Sequence, residues 1–139
     1  MEKNYKIKAR LIVEIVGMPK SHVEETILIL GERFGAGNSD VKVTSKKVRE
    51  PIQLENSSLF SAFIEFEVEV TDLATLIGLV FDYMPSSVEI LEPEQISESL
   101  QNLNEILNDL AAKLHTYDAM NKKLLAQLNL LKKQQKQES

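Results

Sequence analysis

Cysteine is absent from all 139 residues, which removes disulfides, thiolate metal sites and cysteine nucleophiles together. No run of about 18 apolar residues occurs, so a membrane-crossing helix is not expected. The first residues carry charges where a secretion signal needs an apolar core. A soluble, cytoplasmic chain without membrane contact is the expectation. Histidine is scarce too. His22 and His115 are the only two, they fall in separate expected helices, and no carboxylate spacing around them resembles a metal site. The glycines at 31, 35 and 37 follow an expected helix, so they read as a C-terminal cap and not as a phosphate cradle. No cofactor, no metal and no enzyme activity are expected, leaving seryl or carboxylate chemistry assembled from distant loops as the remaining catalytic route.

What is present is ordinary for a folded chain: 43% apolar and 27% charged residues, enough to build one core and too apolar for wholesale disorder. Residues 1–92 hold 10 basic and 15 acidic side chains, and therefore the whole net charge of -5, while residues 93–139 balance. An acidic head argues against nonspecific nucleic-acid binding.

Alternation of apolar and polar residues marks a first strand over Tyr5–Val16, with Ala9, Leu11, Val13 and Ile15 on one face and Lys8, Arg10, Ile12 and Glu14 on the other. Gly17, Met18 and Pro19 break it. Ser21 and Glu24 have the spacing of a capping box, and Val23, Ile27, Leu30 and Phe34 form a helical stripe behind them. A weaker strand follows over 41–48, then a loop over 49–58 around Pro51. Phe60, Ala62, Ile64, Phe66, Val68 and Val70 alternate with Ser61, Phe63, Glu65, Glu67 and Glu69 in the clearest strand of the chain. A second helix is expected with Leu73, Leu76, Ile77 and Val80 inward. Ser87–Glu92 then makes a last strand with Val88 and Ile90 inward, ended by Pro93. The order β-α-β-β-α-β predicts an α+β, ferredoxin-like head over residues 1–92, an antiparallel sheet with two helices on one face.

Residues 93–139 predict one long helix capped at Ser97, with the last six residues frayed. Leu100, Leu103, Leu107, Leu110, Leu114, Tyr117, Asn121, Leu124, Leu128, Leu131 and Gln135 recur in steps of three and four, the a and d positions of a heptad. Such a helix of about 36 residues is about 54 Å long, far more than the head's own core needs. The seam therefore predicts a coiled coil and a homo-oligomer. Asn121 at an a position favours a parallel dimer, where it meets its own copy, over an antiparallel pair, where it faces leucine. Lys113 at g stands within reach of Asp118 at e of a partner. Ile106, Ala111, Met120 and Leu125 widen the apolar stripe, which suits docking on the open sheet face in the first half of the helix, or a trimer or tetramer.

That open face presents Ile12 and Phe63, candidates for contact with a helix or a partner subunit. A sheet that stacks RNA bases needs several aromatic residues, and three glutamates beside a lone Phe63 oppose phosphate. Lys42, Lys46, Lys47 and Arg49 read first as charges that block unwanted pairing of an edge strand, and second as an anion site.

Two resemblances add to this reading. Leu76-Ile77-Gly78-Leu79-Val80 followed by Ser87-Val88-Glu89-Ile90-Leu91-Glu92-Pro93 resembles the end of the ferredoxin-like C-terminal extension of bacterial WYL-domain regulators. It covers about thirty residues and implies the same helix-strand-helix order. The order over residues 5–92 is also similar to ACT-type regulatory modules. That likeness implies a small effector at subunit interfaces, beside the turn Gly17, Met18 and Pro19. The expected function is a non-enzymatic interaction and oligomerisation protein, an adaptor or scaffold whose heads a C-terminal coiled coil holds together, with a protein partner possible. The alternatives are an ACT-like small-molecule sensor and, third, an RNA-associated protein.

Overall fold

A computed structural model of the chain describes residues 4–138; residues 1–3 of the expected head and Ser139 of the expected frayed end lie outside them. The element order is β1 (Ile7–Gly17), α1 (Lys20–Arg33), β2 (Val41–Val48), β3 (Ile52–Gln53), β4 (Phe60–Val70), α2 (Leu73–Tyr83), β5 (Ser87–Glu92) and α3 (Leu100–Glu138). The contacts divide the described chain between Ile96 and Ser97 into a sheet-bearing head and a helical tail.

The head is α+β. Its antiparallel sheet has five strands in the order β2-β4-β1-β5, with β3 also paired to β4. The two central strands are the ones whose alternation is cleanest in sequence. Ile7, Ala9, Leu11 and Val13 of β1 and Ala62, Ile64, Phe66, Val68 and Val70 of β4 are buried on one face. Val23 and Ile27 of α1 and Leu76 and Leu79 of α2 join them in one core. Alternation is legible there because one face is covered and the other is not. Phe66 stacks on Phe34 with ring centroids 3.8 Å apart and planes 10° from parallel, and Tyr83 lies 4.4 Å from Phe34. The Tyr83 hydroxyl donates to the Arg33 carbonyl at 3.1 Å and accepts from the Gly35 amide at 3.1 Å, joining the C-terminal ends of the two helices. Gly35 has φ +69°, and a Cβ there would stand 2.9 Å from Val41 Cγ1, so glycine is required on both counts.

Several details depart from the sequence reading. Helix α1 starts at Lys20 with Pro19 at its N-cap and no side-chain cap, so Ser21 lies in the first turn and no capping box forms. The Pro19 carbonyl instead accepts from the amides of His22 and Val23 at 3.0 and 3.3 Å. The stretch read as a loop over 49–58 contains the short strand β3, which makes the fifth strand. In α2 the buried residues are Leu76 and Leu79, with Leu73 and Tyr83 packed against the core, and not Ile77. A helix apolar nearly all round gives its sequence no single stripe. Val88 and Ile90 pair with core-facing Leu11 and Ala9, yet they expose 40% and 39% of their surfaces because β5 is an edge strand.

The tail is one uninterrupted helix of 39 residues, about 58 Å long at 1.5 Å per residue. Its cap is Ser99, not Ser97: Ser99 Oγ accepts from the Asn102 amide at 3.1 Å. Lys113 and Asp118, the g and e residues expected to reach a partner, pair within the helix instead, Lys113 with Asp109 at 3.3 Å and Asp118 with Lys122 at 2.9 Å. The helix continues through Glu138 and takes in residues 134–138 of the stretch expected to fray.

Candidate interaction surfaces

Three groups of residues stand out in the sequence, one in the tail and two in the head. The first is the heptad seam. No residue of α3 is buried. Leu103 and Leu110 are half-buried, while Leu100, Leu107, Leu114, Tyr117, Leu124, Leu128 and Leu131 expose between 43% (Tyr117) and 79% (Leu100) of their surfaces. Asn121 is exposed in the middle of them. A contiguous apolar strip of this kind on a charged helix is what a partner helix would cover. Met120 and Leu125, the widening positions, are also exposed, and so is Leu130 at an outer position.

The second group is the open sheet face, whose charges alternate from strand to strand. In register, Lys42, Glu69, Lys8 and Glu92 form one row across the sheet, and Ser45, Glu67, Arg10 and Glu89 form the next. Arg10 is the hub. Its Nη2 donates to Glu67 Oε1 at 3.0 Å, its Nη1 to Glu89 Oε2 at 3.4 Å, and its Nε lies 3.6 Å from Glu65 Oε1. The hydrogen bond from Arg10 is the main cause that holds the Glu67 carboxyl below its ordinary value of 4.5. Such opposite-charge neighbours cancel one another and form no broad single-sign patch of the kind that attracts phosphate.

The lowered Glu67 pKa fixes the sign of a pH effect. A carboxylate whose pKa falls on folding adds stability above its unfolded value, and that stability is lost as pH drops through the folded value. Glu67→Gln removes this contribution. Urea midpoints at pH 7 and pH 3 are therefore expected to differ less for Glu67→Gln than for the wild type; an equal acid loss in both would detach Glu67 from the acid limb.

Ile12 and Phe63, the expected contact residues, lie diagonally across β1 and β4, since Ile12 faces Glu65 and Glu14 faces Phe63. Both are half-buried. They line a hollow of about 270 Å³ together with Lys47, Arg49, Glu65 and Ser86. Lys47 and Arg49 belong to the basic cluster visible in the sequence, but nothing in the sequence joins them to Glu65 and Ser86. A bulge between Val43 and Ser45 shifts β2 by one residue, and this is what places Lys47 opposite Glu65 on the open face. Without the bulge, Lys46 would be there.

The third group, Gly17, Met18 and Pro19, lies at the far end of β1, where Gly17 faces Phe60. The Met18–Pro19 peptide is cis. Met18 is exposed, and its sulfur accepts from Ser58 Oγ at 3.3 Å. The Pro19 carbonyl is taken up by the first amides of α1, and the turn shares no residue with the hollow.

Among the described residues no helix is long and apolar enough to cross a membrane, and no group of three or more histidine or carboxylate side chains could hold a metal ion. Of known families, the model of the MJ0538 family matches residues 7–138. No curated protein and no solved structure matches the chain.

Proposed function

As the chain belongs to the MJ0538 family, whose match takes in sheet and long helix alike, we propose that it is a non-enzymatic interaction protein in which ferredoxin-like heads are assembled by a coiled coil of α3. The observation that carries this reading is the apolar heptad face, exposed along a helix in which no residue is buried. The ferredoxin-like description of the head draws support from the strand order β2-β4-β1-β5 and from two helices sharing one core with a single sheet face. Assembly would hold two heads at a set separation and raise their effective concentration for a bivalent protein partner, the action of an adaptor or scaffold.

A parallel dimer is the form that suits Asn121. In parallel register the two side-chain amides meet and satisfy each other. Against leucine, each buried amide would cost roughly 1–3 kcal/mol. The full chain, a protomer of 15.7 kDa, is expected to sediment as a dimer at micromolar concentration; a monomer there would overturn the proposal. Asn121→Leu is expected to raise thermal stability while spreading the mass distribution towards trimers and tetramers. An unchanged mass and an unchanged melting temperature would place Asn121 outside the contact. A small-molecule-sensing role, the other reading of such a head, has one observation in its favour, the hollow beside Phe63.

A further inference from the structure

The hollow on the open sheet face is a built feature. Four chain segments form it, around residues 12, 47–49, 63–65 and 86, and backbone hydrogen bonds set its walls. The Arg49 amide donates to the Phe63 carbonyl at 3.0 Å and fixes the Arg49 backbone beside the aromatic ring. Opposite, the Ser86 amide and hydroxyl both donate to the Ile12 carbonyl, at 2.8 and 3.1 Å. Ile12 and Phe63 supply the apolar part of the lining. Its charges are unequal. Glu65 is engaged on two sides, by Arg10 at 3.6 Å and by Lys47 at 3.9 Å. Arg49 lies at the same hollow, and no carboxylate among the described residues pairs with its guanidinium.

From this arrangement we propose that the hollow binds a small aromatic carboxylate, with its ring against Phe63 and Ile12 and its carboxylate on Arg49. A guanidinium presents a planar fork that matches a carboxylate in two parallel hydrogen bonds. Lys47 adds a second positive charge at the rim, and Glu65 turns away a ligand of higher negative charge. The volume, about 270 Å³, lies just below the range of pockets that enclose drug-sized molecules, and so suits a single-ring or fused-ring acid. The lining shares no residue with α3, and the proposal does not depend on the assembly reading.

The test uses the full chain with benzoate, indole-3-carboxylate, benzamide and acetate as probes, followed by titration of amide chemical shifts. Saturable binding of the two aromatic acids is expected, with shifts at Ile12, Arg49, Phe63 and Ser86. Benzamide, which lacks the charge, and acetate, which lacks the ring, are expected to bind at least roughly tenfold more weakly. Arg49→Gln, at an exposed position where folding is not at stake, should weaken the acids by a similar factor and leave the melting temperature unchanged. Arg49→Lys should restore part of the affinity. The proposal is overturned if neither aromatic acid saturates at millimolar concentration, if the shifts lie elsewhere, or if Arg49→Gln binds as the wild type does.

Discussion

Replacing Leu114 and Leu124 together by glutamate is expected to abolish the self-association proposed for the chain. Leu114 occupies an a position and Leu124 a d position, on either side of Asn121. They expose 55% and 60% of their surfaces, so neither supports the core of the head. In an assembled seam the remaining exposed part of each leucine would be covered, a gain of about 1–2 kcal/mol per side chain. Glutamate forfeits that gain and sets like charges against each other at an apolar contact, where an unpaired carboxylate is far more costly. Across two chains the lost burial alone is roughly 4 kcal/mol or more, about three orders of magnitude in dissociation constant, and the buried charges add to it. Sedimentation should report a monomer at concentrations where the wild type associates, while the near-ultraviolet signal of the head aromatics stays unchanged. A double variant that keeps the wild-type mass would mean that this face of α3 is not the contact.

The second large effect belongs to the core. Phe66 is fully buried at the centre of β4, faces Leu11 in register, and stacks on Phe34. Phe66→Ala removes that stacking partner and leaves a cavity under α1, at a cost of about 3–5 kcal/mol. A domain of this size has only about 5–15 kcal/mol in total, so the variant should sit near the edge of folding at ambient temperature. Urea titration checks this: the midpoint should fall by roughly a third or more of its wild-type value. Phe66→Leu, which keeps most of the volume, should lose much less. If Phe66→Ala costs under about 1 kcal/mol, the aromatic stack is not the centre of the core.

Legibility in the sequence followed the physics of each element. Strands β1 and β4 could be read residue by residue because each has one covered face and one wet face, and period-two alternation is the direct trace of that. The stripe of α1 was readable for the same reason at period 3.6. In α2, apolar residues on nearly every side left Leu79 indistinguishable from Ile77, and only packing against β4 separates them. The bulge in β2 leaves no mark in composition, although it decides that Lys47 and not Lys46 faces Glu65. Strand β3 spans two residues, too short for any periodicity. The helix α3 was legible over most of its length, since its apolar spacing repeats over many turns. The hollow was illegible as a set, because its lining comes from positions as distant as Ile12 and Ser86, and only the sheet register brings them together.

The position of β1 has a consequence for the order of events during synthesis. This strand is made early, yet both of its neighbours, β4 and β5, come from residues 60–70 and 87–92. The sheet therefore cannot close until the sixth of its head elements after β1 has left the ribosome, and β1 must wait with its apolar face unpaired. Because domains fold largely in the order in which they are made, the period of greatest exposure falls before residue 92. The leucines of α3 are translated after it. A nascent chain thus completes the residues of its own core before it displays the exposed apolar face of α3. For a chain that assembles through α3 as proposed, that sequence of events would separate folding from assembly in time and lower the chance that unpaired β1 and a neighbour's α3 are exposed together.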